Sequence, residues 1–370
     1  MQNVHEPSMP PHAELTDTAG PSSVQVEVRN QDVDSDTQKA WQRIVDRIAP
    51  TSTGYDPRWL AALCRGLRHK PYLLLARQKN RLTGVLPLAL VQSRLFGRFL
   101  VSLPYINSAG VVAENKEAEV ALIDRAVRLA DELDVRHLEL RHEQAIEHPA
   151  LGTQLTSKVH MRLALPDDAN SLWKQFKPKV RNQIRKGEKH EFTVYWGHDE
   201  LLADFYAVFS RNMRDLGTPV FGRWLFRSLM EQFPERTEFC VLRSGKQPIA
   251  AALLVHGNGI TEVPSASSLR ELNATNANML MYWQLLQRAI EQKQAVFDFG
   301  RSSLDSNTLR FKKQWGALPE PAVWQYYVRQ GDVGDMRREN GKYDRMINIW
   351  RRLPVGLTRI LGPAIIRGIP

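Results

Sequence analysis

One stretch of this chain gathers residue types that together can bind and activate a charged substrate. It is Phe297-Asp298-Phe299-Gly300-Arg301-Ser302-Ser303, followed closely by Arg310-Phe311-Lys312-Lys313-Gln314-Trp315-Gly316. Strand alternation puts Phe297 and Phe299 on one face and Asp298 on the other. Gly300 ends the strand and lets backbone turn sharply or approach a ligand. Arg301, Ser302 and Ser303 then fall at the strand's carboxyl end, where open α/β sheets bind ligands. Asp305 or Ser306 caps a short helix carrying Arg310, Lys312 and Lys313. Arg301 can grip an anion through two parallel hydrogen bonds, and the lysines can meet phosphate as point charges. The plainer alternative is a surface helix with solvated lysines.

A second cluster contains Lys174, Lys177, Lys179, Arg181, Arg185, Lys186 and Lys189, offset by Glu188 alone. Pro178 suits the first position of a helix, Val180 and Ile184 its buried side, and Gly187 its end. Lys177, Arg181 and Arg185 recur every four residues. Repulsion at that spacing points either to an anionic partner or to a solvated basic face between domains. Pro264-Ser265-Ala266-Ser267-Ser268 closes a strand with small hydroxyl residues; Ser267 and its neighbours either admit a substrate closely or form a turn. The loop from Asp215 to Val220 precedes Phe221, Trp224 and Phe226, which read as core packing before pocket wall. The sequence has no Gly-rich phosphate loop, no His/Cys cluster with metal-ligand spacing and no serine elbow. No metal and no covalent nucleophile is therefore expected, and His256, inside a strand-like run, reads as structural.

These side chains need a scaffold, and the hydrophobic pattern supplies one twice. Trp41, Ile44, Val45 and Ile48 recur at helical spacing, and Asp56-Pro57 opens a second helix. Strands follow at 72–77 and 82–91, a helix at 117–133 and a strand at 137–140. The same succession returns with strands at 238–243, 248–255 and 262–267, a helix at 276–291 and a strand at 296–299. Glu139 falls where Asp298 falls. This is the signature of a duplicated unit with an α/β (α+β) layer architecture and mixed, largely antiparallel sheets. The expected organisation is a disordered tail over 1–38, one unit over 39–165, a second over 166–335, and a basic amphipathic tail over 336–370.

A chain of 370 residues is long enough for two such cores. Its formal net charge of +10 suggests an anionic partner: a nucleotide phosphate, nucleic acid or an anionic membrane face. No apolar run approaches the roughly 18 residues needed to span a bilayer, and no signal sequence opens the chain, so a cytoplasmic location is expected. Met346 to Pro370 sets Ile347, Trp350, Leu353, Leu357, Ile360, Leu361 and Ile365 beside Arg351, Arg352, Arg359 and Arg367. Such a tail either packs back on the protein, the favoured reading, or lies peripherally on the inner membrane face. Cys64 and Cys240 read as buried, inert thiols.

Thr218-Pro219-Val220, Pro264–Ser268, Phe297–Ser302 and Phe311-Lys312-Lys313-Gln314-Trp315-Gly316 together resemble the FemAB family, in particular its XrtA/PEP-CTERM-associated type. The resemblance runs from about residue 40 to 330. It implies two tandem GNAT-like units and an acyl- or aminoacyltransferase acting on a phosphorylated cell-envelope precursor or an exopolysaccharide-related acceptor. It implies that Lys312, with Lys313 as the adjacent candidate, contacts precursor phosphate. It implies no permanently bound cofactor and leaves the acyl donor open between acyl-CoA and aminoacyl-tRNA. The chain lacks the coiled-coil arm of some members, and Asn273–Asn278 stands where acetyl-CoA-using GNAT enzymes carry a pyrophosphate loop. Under this reading Asp298 either orients or deprotonates the acceptor or simply fixes Arg301. The partners are a phosphorylated glycan or lipid-linked precursor and, alternatively, tRNA. Arg301, Ser302, Lys313, Arg310, Arg181, Arg185 and Ser267 are the expected substrate-binding residues; Asp298 and Lys312 are the catalytic pair. An RNA-binding module and a non-catalytic scaffold in polysaccharide assembly stay open as rival functions.

Overall fold

The computed structural model describes residues 24–30, 33–48, 53–333 and 343–370. The first sheet takes β1 (Gln25–Arg29), β2 (Lys70–Gln78), β3 (Arg81–Ser93), β4 (Gly97–Val101), β5 (Val112–Ala113), β6 (His137–His142) and β7 (Thr153–Leu155). With it go α1 (Ser35–Ile48), α2 (Arg58–Leu67) and α3 (Lys116–Glu132). The second sheet takes β8 (Lys158–Ala164), β9 (Phe192–Gly197), β10 (Thr237–Ser244), β11 (Gln247–Gly257), β12 (Ile260–Ser268), β13 (Val296–Ser303) and β14 (Leu318–Pro321). Its helices are α4 (Ala169–Gln175), α5 (Pro178–Glu188), α6 (Leu202–Leu216), α7 (Arg223–Gln232), α8 (Ala277–Glu291) and α9 (Asn307–Gln314). The chain then returns to the first sheet as β15 (Val323–Val328), and α10 (Asp344–Arg352) and α11 (Val355–Ile366) follow. The strand orders are β1-β2-β3-β4-β6-β15-β7, with β5 also on β3, and β14-β8-β13-β12-β11-β10-β9.

The expected duplication is present. The run β2-β3-β4-α3-β6 is repeated by β10-β11-β12-α8-β13, and each helix crosses over to make one parallel pair, β4 with β6 and β12 with β13. The last residues in register are Val101 with Glu139 and Glu262 with Asp298, so Glu139 and Asp298 hold equivalent places. Local chemistry explains the helices. Asn115 caps α3 by accepting from Ala118 N at 2.8 Å, and Leu122, Ile123, Ala126, Leu129 and Ala130 form its buried stripe.

The units share one core. Trp59 of α2 packs on Phe233 with ring centroids 4.8 Å apart. The α2 backbone at Gly66 lies so close to α7 that a Cβ there would sit 2.8 Å from Leu225 Cα. Cys64 and Cys240 are both buried free thiols, and burial pushes the Cys240 thiol pKa up. His256 is structural as expected, its ring between Thr261 Oγ1 at 2.8 Å and Glu238 Oε1 at 2.9 Å.

The expected unit boundaries need revision. Residues 25–29, placed by composition in a disordered tail, form β1, because Val26 and Val28 alternate with polar neighbours and pack on the first core. Residues 1–23 lie outside the described residues. β8 precedes the expected boundary at 165 yet pairs with β13 and β14 of the second sheet. β15 precedes the expected end at 335 yet pairs with β6 and β7 of the first. The crossing is thus reciprocal. Of the C-terminal tail, α10 and α11 pack on α6, the favoured arrangement, while 334–342 lies outside the described residues.

Candidate active site

The cleft begins where a parallel pair comes apart. β12 and β13 pair over Ile260–Glu262 and Val296–Asp298 and then separate. β13 does not end at Gly300, as its pattern suggested. It continues to Ser303 along β8, with a register shift between Asp298 and Arg301. Gly300 takes a φ of +78° at this shift, a conformation open to glycine and strained for other residues. The irregularity re-aims Arg301, Ser302 and Ser303 toward the gap. A cavity of about 490 Å³ fills it, lined by Glu262, Asp298, Arg301, Ser302 and Lys312 and, from the first unit, Tyr105 and Asn107.

The matching gap in the first unit is closed by its own chain. After Val101 the backbone stays along β6, with Ser102 N on Glu139 O at 2.9 Å and Ala109 N on Arg141 O at 3.1 Å. The buried Arg141 guanidinium donates to Leu103 O at 3.3 Å and Ile106 O at 2.7 Å, and its Nε to Glu139 Oε1 at 2.7 Å. Leu103 and Tyr105 sit at φ of +57° and +80°, strained values for side chains of this size. The plug carries Tyr105 and Asn107 into the second unit's cleft, where Tyr105 Oη is 3.2 Å from Ser265 Oγ. One unit therefore keeps the opening and the other supplies its wall.

Lys312 is buried and faces this opening. Its Nζ donates to Gly300 O at 3.0 Å and Arg301 O at 3.2 Å, fixing the lysine against the bulge. An ammonium has a third N–H. Burial pulls its pKa down to about 8, against a smaller upward pull from the Asp298 charge. Arg301 has no ion pair with a described carboxylate; its guanidinium lies 3.2 Å from the centroid of the Trp324 ring. Arg141 lies at 3.9 Å from the same ring. Burial and then the Arg141 charge lower the Arg301 pKa to about 9, which leaves it cationic at neutral pH. Ser302 lines the cavity, and its buried Oγ has no hydrogen-bond partner among the described residues.

Asp298 does not fix Arg301. Its Oδ1 accepts from Gly300 N at 2.6 Å, and its Oδ2 lies 3.1 Å from Arg162 Nε and 3.4 Å from His160 Nδ1. Burial pushes its carboxyl pKa up, but the His160 hydrogen bond and charge, the Arg162 charge and the Gly300 amide together bring it below the usual value. A carboxylate so well supplied with donors is a weak base and a strong anchor for the bulge. Arg162 also bonds the half-buried Glu143 and the exposed Glu320 at 2.7 and 2.8 Å, which carries the charge network from the buried Asp298 out to the surface. On the far side of His160, Nε2 is 3.1 Å from Ser108 Oγ. That Ser-His-Asp row is not a hydrolytic triad reaching the cleft, because Ser108 is fully buried and does not line the cavity.

Several expected site residues lie elsewhere. Lys313 and Arg310 are exposed on the outer side of α9, and Arg310 bonds Asn307 there. Ser267 points to the other face of β12, where its Oγ accepts from Asn212 of α6 at 3.0 Å. Arg181 and Arg185 sit on α5, away from the cavity lining, with Arg185 over the Trp173 ring at 5.5 Å. Tyr105, Asn107, Lys158 and Glu262 line the cleft and carry no recognisable spacing in the sequence. The one available signal was that a Glu stands in β12 opposite Asp298.

Residues 174–313 match the family described as "Acetyltransferase (GNAT) domain". Among solved structures, the chain is similar to FemX, with a TM-score of 0.59 and 15% identity over 87% of this chain and 100% of that one. It is similar to a tandem GNAT protein from the clavulanic acid biosynthesis pathway, with a TM-score of 0.54 and 12% identity over 83% and 100%. It is also similar to L-PGS from Bacillus licheniformis, with a TM-score of 0.53 and 12% identity over 87% and 98%. No curated protein matches the sequence. The fold is that of two GNAT-type units in tandem, and the match to the GNAT domain family falls within the second of them.

Proposed function

We propose that the cleft between β12 and β13 transfers an acyl or aminoacyl group to a phosphorylated cell-envelope or exopolysaccharide precursor, as in the XrtA/PEP-CTERM-associated FemAB type the motifs resemble. The observation that carries this reading is Arg301. It is a cationic guanidinium without an ion-paired carboxylate among the described residues, held over the Trp324 ring and facing a cavity that also receives Lys312. An unpaired cation lodged beside a polar cavity calls for an anionic ligand. FemX and L-PGS share the fold, which agrees with acyl or aminoacyl transfer.

In this reading Arg301 and the free N–H of Lys312 hold phosphate of the acceptor or of the donor. The acceptor amine or hydroxyl attacks the acyl carbonyl; the new C–N or C–O bond forms and the bond to the donor's sulfur or oxygen breaks. The acceptor's proton passes to the leaving group or to solvent. Ser302 Oγ donates to the developing oxyanion, and Asp298 holds the Gly300 bulge that aims Arg301, Ser302 and Lys312. The exposed cations at and on α5, among them Lys177 at its N-cap and Lys179, Arg185 and Lys186 within it, favour aminoacyl-tRNA over acyl-CoA as donor.

Acyl transfer by Arg301→Ala and Lys312→Ala tests the assignment. Each is expected to lose on the order of a hundredfold in rate, as when one oxyanion or phosphate contact is removed. Mass spectrometry of species retained by the purified protein is expected to find a phosphate-bearing donor or acceptor. Full activity in both variants would overturn the assignment.

A further inference from the structure

The two C-terminal helices reverse the usual facing of an amphipathic helix. α11 buries Thr358, Gly362, Pro363 and Ile366 against the protein, a mostly small or polar set. Leu357, Ile360, Leu361 and Ala364 are turned outward along one stripe at the i, i+3, i+4, i+7 spacing. Ile360 is 74% exposed. α10 repeats the arrangement with Met346 and Ile349, the latter 62% exposed. The position is not accidental fraying, because both helices are docked on α6. Arg214 Nη1 donates to Leu353 O at 3.1 Å, Arg359 Nε to Ser210 Oγ at 2.8 Å, and a Cβ at Gly362 would stand 2.7 Å from Val220 N. Gly368 in turn lies against Ser93, beside the β3–β4 hairpin tip that holds Leu95 73% exposed. A protein at rest in water hides such a set of side chains.

The charge around this face is one-sided. Arg345, Arg351, Arg352 and Arg367 are exposed on the same two helices or just beyond them, and Asp344 is the one acidic residue from 343 to 370. Under the face lies a largely apolar cavity of about 260 Å³, lined by Phe96, Pro219, Met346, Trp350, Ile365 and Ile369 among others. A second copy of this chain would bring a like cationic rim against the first, which opposes self-association. Neither helix is long and apolar enough to cross a membrane. Apolar residues outward with arginines at their margins are the pattern of helices that lie in a bilayer interface.

We propose that this face docks the protein on an anionic lipid bilayer. Ile349, Leu357, Ile360, Leu361 and Leu95 enter the acyl-chain boundary, and Arg345, Arg351, Arg352 and Arg367 meet headgroup phosphates. The cavity beneath lies one loop from the cleft. Gly217 to Pro219 line the cavity, while Phe221 of the same loop packs edge-on against Tyr105 of the cleft wall, centroids 5.1 Å apart. Docking would hold the cleft next to the lipid surface. It does not depend on the transfer reaction.

Vesicle co-sedimentation of the full chain tests this. Wild-type protein is expected to pellet with phosphatidylcholine vesicles containing phosphatidylglycerol and poorly with phosphatidylcholine alone. Raising salt from about 0.1 to about 0.5 M is expected to weaken the binding, since headgroup attraction is screened. Leu357→Glu with Ile360→Glu is expected to reduce binding by about tenfold or more through lost apolar burial, with an unchanged melting temperature because both residues are exposed. Arg351→Glu with Arg352→Glu is expected to remove the preference for anionic vesicles. Failure of the wild type to bind either vesicle would overturn the proposal, as would undiminished binding by a folded Leu357→Glu/Ile360→Glu variant. A dimer seen by light scattering and broken by that variant, without vesicle binding, would assign the face to a second copy instead.

Discussion

Lys312 is the residue where stability and chemistry pull apart. Its folded pKa, about 8, lies below the ordinary lysine value of 10.5 because burial disfavours the charge. The folded protein therefore sheds this proton first. The cost of burying the charge is fully present below about pH 8, shrinks as pH rises, and is gone above the unfolded value. Lys312→Met loses the bonds to Gly300 O and Arg301 O at every pH but is relieved of the buried charge only where the wild type carries it. Its stability relative to wild type should therefore be better at pH 7 than above pH 10.5, by on the order of 3 kcal/mol at most. Calorimetry at both pH values checks this, and equal destabilisation at both would contradict it. Transfer activity moves the other way: if the ammonium holds phosphate, the wild-type rate falls as pH rises through about 8, with bound anion moving the midpoint upward. None of this was legible in the sequence beyond the choice of Lys312 over its neighbour. Lys312 and Lys313 are chemically alike and adjacent, and it is the Gly300 bulge, 12 residues earlier, that decides which of them is buried.

At the scale of elements, the plug from Ser102 to Ser108 is what distinguishes the two units. Glu139 and Arg141 are buried together and cannot be separated cheaply. Arg141→Met alone should cost about 3–5 kcal/mol by leaving the buried Glu139 carboxylate without its ion-pair partner, with the Tyr326 hydrogen bond remaining. The double variant Glu139→Gln/Arg141→Met should recover most of that stability yet release the Leu103 and Ile106 carbonyls. Amide exchange is then expected to speed up over 103–107, and ligand affinity in the cleft to fall as Tyr105 and Asn107 lose their fixed places. Unchanged exchange would show that the plug holds itself. The duplication that frames this comparison could be read directly from hydrophobic period, since β2, β3, α3 and β6 and their counterparts are long and regular. The plug could not. Its strain sits at Leu103 and Tyr105, residue types that ordinarily avoid positive φ, and no local rule announces them. Ser267 misled for a related reason: a strand shows alternation in its sequence but not which face meets the cleft, and here Ser267 took the side facing α6.

For the whole molecule, the reciprocal crossing of β8 and β15 is the governing fact. Residue by residue the boundary near 165 looked natural, because β8 follows β7 after two residues and β15 follows β14 after one. Only pairing across the molecule reveals that each sheet borrows from the other's span. Chains stopped after Arg329 are expected to keep the whole first sheet, whereas chains stopped after Pro321 should keep β1-β2-β3-β4-β6 but release β7, which pairs with β15, and Arg301 loses Trp324. Circular dichroism and amide resonances of the two truncations would show the difference. The same crossing shapes how the protein is made. On the ribosome the first sheet cannot close until its last strand emerges, long after β6 has been synthesised. At usual elongation rates that leaves an open, sticky sheet edge waiting on the order of ten seconds. Cells making this protein should therefore lean on chaperones during its translation, and slowing elongation before Val323 should cost soluble yield more than slowing it afterwards.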